Sequence, residues 1–258
     1  MIPKLRVPIL FYLFVAVLPV LMASCGKNGD ATPNPEDTTT VNHGNFYKLL
    51  RVENFKGDTT DSNRLEPKAT LFYSLEQHKS IEDKYVRTST WDLAMGGLYQ
   101  SFLSGNNGKD TKNHGAGAPS QGGIIIFQKK FEDVVDIPAD AEFKTGKDVY
   151  GTDDAGEFGQ GIGWYLYDFT GNTVGNGTRD KQHVAYALAD SLKLASGQKM
   201  APRTLVVKTA KGNYAKLRMI SCYKDAFTPD KWLRDVPHMY FTFEYVMVPA
   251  GSKKFEIK

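Results

Sequence analysis

The sequence predicts an antiparallel all-β domain, and three observations predict it. Residues 204–223 read as a β-hairpin whose second arm alternates, Ala215, Leu217 and Met219 on one face, Lys216 and Arg218 on the other. Strand-like apolar runs recur along the chain with no regular alternation of strand and helix. The 24 glycines and 13 tyrosines among 258 residues suit a turn-rich β protein better than a helical one. A hydrophobic fraction of 41% is ample for a real core. A net charge of +3, with no dense Lys/Arg block beyond the N-terminus, points away from a nucleic-acid partner.

Residues 1–24 read as an address. Lys4 and Arg6 form a positive start, residues 9–22 an apolar run, and Met22-Ala23-Ser24-Cys25 closes it. Small residues before a cysteine resemble the lipobox of bacterial lipoproteins, a reading preferred over an uncleaved anchor or a plain secretory signal. Cys25 would then be the lipidated first residue, holding a soluble body on a membrane surface. Residues 25–44 are polar and almost free of large apolar side chains, a flexible tether that cannot bury enough surface to fold. Cys222 is left as a single thiol, so no intramolecular disulfide is expected. Alternation puts it on the face of Ile220 as a small packed residue.

The domain spans residues 45–258. Strands are expected over 46–52, 70–75 and 85–95. Trp91 is expected to be buried on the face of Leu93 and Met95. Residues 105–123 form a long polar, glycine-rich loop, followed by a short buried strand over 124–127. Residues 131–143 start with helix-like spacing that Pro138 interrupts. A second glycine-rich loop, acidic, covers 151–163, before an aromatic strand over 164–169 whose Trp164 is expected to be buried. Val184, Leu188 and Leu192 at i, i+4, i+8, with Gly197 as a stop, predict one short helix over 181–194. In the 204–223 hairpin, Gly212 and Asn213 tolerate positive φ at the turn. Residues 238–248 are the last strand, and two strands alone would not be stable, so the others must flank the hairpin.

Motifs for catalysis fail. There is no His-Glu-x-x-His, Gly-x-Ser-x-Gly, Walker loop or Cys-x-x-Cys, so the chain does not read as an enzyme. Gly115-Ala116-Gly117 opens like a dinucleotide loop, but Ser120 stands in the sixth position and no strand precedes it. Asp153, Asp154 and Glu157 lack EF-hand spacing and read as a solvated acidic loop rather than a calcium site. His43, His78, His114, His183 and His238 show no pair at metal-ligand spacing.

Five segments occur together in order: Thr90-Trp91-Asp92-Leu93-Ala94, Gly122-Gly123, Gly163-Trp164, Lys208-Thr-Ala-Lys-Gly-Asn-Tyr-Ala-Lys-Leu217 and Tyr240-Phe-Thr-Phe-Glu-Tyr245. They resemble the HmuY family of haem-binding, haemophore-like lipoproteins of Bacteroidetes. The resemblance runs over about residues 46–248, and its most specific parts are Trp-Asp-Leu-Ala and the hairpin. It implies an all-β fold shaped like a hand that grips haem between loops. It also implies haem as bound ligand, an outer-membrane TonB-dependent haem receptor as partner, and an outer-membrane location on the periplasmic or cell-surface face, with release from the membrane left open. The family's bis-histidine ligation does not carry over. Asp168 and Phe169 stand where one family histidine would follow the Gly-Trp strand, and the 151–163 loop holds none. The insertion 171–198 brings His183, and Met200 follows. A neutral imidazole or a thioether can ligate haem iron, so both are candidates, with His114 a third. Trp164, Tyr165, Tyr167 and Tyr186 are candidates for an aromatic wall. The competing function is a non-haem binding or adhesion module on the same scaffold.

Overall fold

The 204–223 hairpin sits inside a sheet, where its alternation requires flanking strands. The computed structural model describes residues 43–60 and 66–258, part of one compact unit bounded by Val41 and Lys258. The signal segment, Cys25 and most of the 25–44 tether lie outside the described residues. The strands are β1 (Leu49–Lys56), β2 (Leu71–Ser74), β3 (Lys79–Ile81), β4 (Leu93–Gly96), β5 (Phe102–Gly105), β6 (Gly123–Phe127) and β7 (Tyr165–Asp168). They continue with β8 (Val184–Ala187), β9 (Leu192–Lys193), β10 (Lys199–Met200), β11 (Thr204–Lys208), β12 (Tyr214–Tyr223) and β13 (His238–Val248).

A five-stranded sheet runs β1-β13-β12-β11-β6, and a four-stranded sheet runs β3-β2-β4-β5. Strands β7 and β8 pair separately, as do β9 and β10. Every one of these pairings is antiparallel, as the sequence predicts. The main core joins Leu205, Val207, Leu217, Phe243 and Tyr245 of the larger sheet to Tyr73, Leu93, Met95 and Leu103 of the smaller. Trp164, Leu166, Val184 and Tyr186 of the β7–β8 region close it. Burying each such side chain contributes about 1.5–3 kcal/mol, so this layer dominates the stability.

The second face of the larger sheet is also covered. Val206, Val246 and Val248 pack with Phe131, Val134, Phe143 and Phe255. Lys216 is therefore buried rather than half-solvated. Its Nζ lies 4.4 Å from the centre of the Phe131 ring and donates to the Val134 carbonyl over 2.9 Å. Burial holds its pKa below the usual lysine range.

At the hairpin turn Gly212 has φ of 91°, a conformation that side chains strain to adopt. Glu76 Oε1 accepts from Thr209 Oγ1 over 2.8 Å and from Asn213 Nδ2 over 2.7 Å, so a carboxylate in the turn between β2 and β3 fixes the hairpin turn.

Several expectations need correction. Residues 181–194 are not helical: a 3-10 turn at Arg179–Lys181 leads into β8 and β9. The i, i+4 spacing is coincidental, because Tyr165–Asp168 offers strand edges that hydrogen-bond Val184–Ala187. Residues 131–143 form turns and one 3-10 turn, Asp140–Glu142. Of the 85–95 strand only Leu93–Gly96 is extended in a ladder. Trp91 is fully buried, but with Phe72 and Ala94 rather than with Leu93 and Met95; it precedes the strand, so strand parity does not reach it. A register shift between Met219 and Ser221 breaks the alternation at Cys222. That free, buried thiol packs in the main core with Met219, while Ile220 stays outside the core clusters.

Candidate functional site

One cavity of about 520 Å³ opens beside the β7–β8 hairpin, the end of β12 and the start of β13. That volume lies in the range of about 300–1,000 Å³ found for small-molecule sites. Trp164, Tyr165 and Tyr167 line the cavity together with Cys222, Tyr223 and residues 236–241, and Trp164 meets Phe241 edge-on at 6.4 Å. Period-2 spacing puts Tyr165 and Tyr167 on the same side of β7. Trp164 Nε1 donates to the Ser101 carbonyl over 2.7 Å, and the Tyr165 hydroxyl lies 2.9 Å from Ser101 Oγ. The Tyr223 hydroxyl accepts from the Ala185 amide over 2.9 Å. These bonds lock the aromatic wall, so the cavity is preformed. Burial pushes the Tyr165 and Tyr223 hydroxyls upward and the Cys222 thiol up to about 12, so all three stay protonated at neutral pH.

Two histidines line this cavity, His183 and His238. His183 has φ of 59°. Its amide donates to the Phe169 carbonyl over 3.1 Å, and its Nδ1 lies 3.0 Å from the Tyr167 hydroxyl. Its ring meets Phe169 edge-on at 4.4 Å. His238 Nδ1 lies 3.3 Å from the Val236 carbonyl. A carbonyl only accepts, so in the neutral ring this contact puts the proton on Nδ1 and the lone pair on Nε2. An outer oxygen that fixes the imidazole in this way is the usual partner of a metal-bound histidine. Met239, beside it, has φ of 67°, and Tyr99, also on the lining, 55°. Non-glycine residues held in this region cost of order 1 kcal/mol or more each and cluster where a site is over-determined.

The predicted site residues divide. His183, Trp164, Tyr165 and Tyr167 come together on the lining. Tyr186 does not: it is buried behind the wall, 6.0 Å from Trp232. Met200 is buried in the main core, paired with Leu192, and is not on the lining. His114 is not on the cavity lining; its Nε2 lies 3.0 Å from Asp148 Oδ1 and its ring is edge-on to Phe72. Asp168 is buried and accepts from the Val174 amide over 2.8 Å, so it shapes the inserted loop. Cys25 lies outside the described residues. Sequence spacing passes over His238 as a ligand and does not single out Met239, Tyr223, Arg179 or Arg234. The signal available was His-Met directly after Pro237 at the start of a long strand.

The acidic loop is not simply solvated. Asp153 is 2% exposed and accepts from Arg203 Nη2 over 2.8 Å and Nε over 3.2 Å. Glu157 accepts from the Phe169 amide over 3.0 Å. Among the described residues no three His, Cys, Asp or Glu side chains form a group that could hold a metal ion. No helix of the described residues is long and apolar enough to cross a membrane.

Known proteins bear on this arrangement. No curated protein matches the sequence significantly. The chain is similar to the apo HmuY analog of Tannerella forsythia, with 13% identity over 78% of this chain and 95% of that one and a TM-score of 0.34. It is also similar to a Bacteroides fragilis NCTC 9343 protein described as a candidate lipoprotein, with 13% identity over 82% and 96% and a TM-score of 0.30. The HmuY protein family matches residues 66–245, a span that contains β2 to β12, most of β13 and the whole aromatic wall of the cavity. With most of the described domain inside that match, the chain belongs to the HmuY family.

Proposed function

We propose that this protein is a lipid-anchored haem-binding protein that takes haem into the cavity beside β7 and β8 and passes it to an outer-membrane TonB-dependent transporter. The observation that carries the reading is the meeting of His183 and His238 on one aromatic-walled cavity of about 520 Å³. Family membership supports haem as the ligand. The chemistry of the lining agrees: haem is a flat apolar ring, which Trp164, Tyr165 and Tyr167 match, and its iron takes imidazole ligands. Met239, buried in the main core, also lines the cavity with its thioether side chain nearby. The Cys222 thiol, held protonated, is a poor competitor for iron. Lipid on Cys25 and the tether 25–44 would keep the domain close to a membrane-embedded receptor.

Titration of the purified protein with haemin tests this. The expected result is a saturable shift of the Soret band with a stoichiometry of about one, as one cavity requires. No saturable change sinks the haem reading and leaves a binding module for another ligand.

A further inference from the structure

We infer that Arg179 and Arg234 select a porphyrin with free carboxylates, and that the Arg179–Asp235 ion pair is an exchangeable latch across the mouth of the cavity. This rests on the haem reading and adds to it which end of the ligand faces solvent and what holds it there. Two segments carry the histidines, and three contacts tie them together. Arg179 Nη1 donates to Asp235 Oδ2 over 2.7 Å. The Arg234 amide donates to the Asp180 carbonyl over 2.9 Å, and Arg234 Nη1 donates to Gln182 Oε1 over 3.3 Å. The chain from Arg179 to His183 is thereby clasped to the chain from Arg234 to His238.

Among the described residues, the Lys, Arg, Asp and Glu side chains on the lining all belong to this clasp. Arg179 and Arg234 are, among the described residues, the only Lys or Arg residues there, and Asp235 is the only carboxylate. The inner wall is aromatic, with its buried hydroxyls already engaged with Ser101 and Ala185. A ligand carboxylate pushed inward would lose its water without gaining a cation. At the rim it meets two guanidinium groups, whose planar donors suit a carboxylate. Both Arg179 and Asp235 side chains are 70% exposed, so their pairing is weak and salt-screened. A ligand carboxylate can take the place of Asp235 at little cost. Exchange opens the mouth as the ligand enters and re-closes it on the ligand.

The test compares haemin with haemin dimethyl ester, which has the same iron and ring but no free carboxylates. Affinities are read by Soret titration and, separately, by quenching of tryptophan fluorescence, since Trp164 lines the cavity. Wild type should bind haemin roughly tenfold more tightly than the ester, the factor expected for one charge-assisted contact. Arg179→Gln combined with Arg234→Gln should bring that ratio close to one while the Soret position of bound haemin is kept. Asp235→Asn, which releases Arg179, should raise the association rate of haemin more than that of the ester. Equal affinity of wild type for the two ligands overturns the inference and leaves haem binding standing. So does a double variant that weakens both ligands equally. If wild type binds neither, the haem reading fails and the inference falls with it.

Discussion

The Ala210 amide donates to Asp92 Oδ1 over 3.0 Å, a buried bond between residues 118 apart in the chain. It joins the Trp-Asp-Leu-Ala segment to the turn of the β11–β12 hairpin, the two segments most specific to the family. Asp92 Oδ2 accepts from the Glu76 amide over 3.2 Å and from Ser74 Oγ over 3.3 Å. Together with Glu76, whose carboxylate holds Thr209 and Asn213, Asp92 locks one sheet to the other. Burial, reinforced by the Glu76 charge, pushes the Asp92 carboxyl up to about 7 against the pull of its amide donors.

That shift sets a pH dependence. The folded protein keeps the proton up to about pH 7, whereas an unfolded chain releases it near 3.8. Asp92 therefore contributes stability that is full below pH 3.8 and is lost as the pH rises toward 7. Urea midpoints of wild type and Asp92→Asn should differ in how they change with pH. Wild type should gain on the variant as the pH is lowered from 7 to 4. A difference that stays constant with pH would mean that Asp92 is ionised throughout. Asp92→Ala should destabilise at any pH by about 1–3 kcal/mol, because the buried Ala210 amide loses its acceptor.

Trp91 is fully buried, its ring 4.8 Å from that of Phe72 and its Nε1 donating to the Val86 carbonyl over 2.9 Å. Trp91→Ala should cost about 3–5 kcal/mol, the range for a large aromatic replaced in a core. An unchanged melting temperature would refute the packing role.

Replacing either cavity histidine separates iron ligation from folding. His183→Ala and His238→Ala should each weaken haemin binding and move the Soret maximum, because each residue lines the cavity. Met200→Ala should instead lower stability by about 2–5 kcal/mol and leave the spectrum alone, as a core residue does. A spectrum altered by Met200→Ala but by neither histidine variant would reverse the assignment.

Anchoring has its own test. If Cys25 carries the lipid, as proposed, Cys25→Ser should move the protein from the membrane fraction to the soluble fraction. Retention of the variant in the membrane would point to an uncleaved apolar segment as the anchor.

The sequence by itself determined the fold class, the hairpin at 204–223 and the last strand, His238–Val248, because alternation and β-branched runs are local signals. It also determined that Trp91 and Trp164 are buried, and it carried the family's segments. Tertiary structure decided what depends on partners distant in the chain. Val184–Ala187 became a strand because Tyr165–Asp168 offered it an edge, a competition that overrides helical spacing. Trp91 turned to Phe72, Cys222 into the core after a register shift, and Lys216 under Phe131. The cavity was decided in the same way. His183 and His238 are 55 positions apart in the numbering, and nothing in either neighbourhood announces the other. Only the pairing of β7 with β8 and of β12 with β13 brings both histidines, with Arg179 and Arg234, to one opening. A site of that kind belongs to chain segments whose closure is fixed by the packed sheets beneath them, and local sequence carries no record of it.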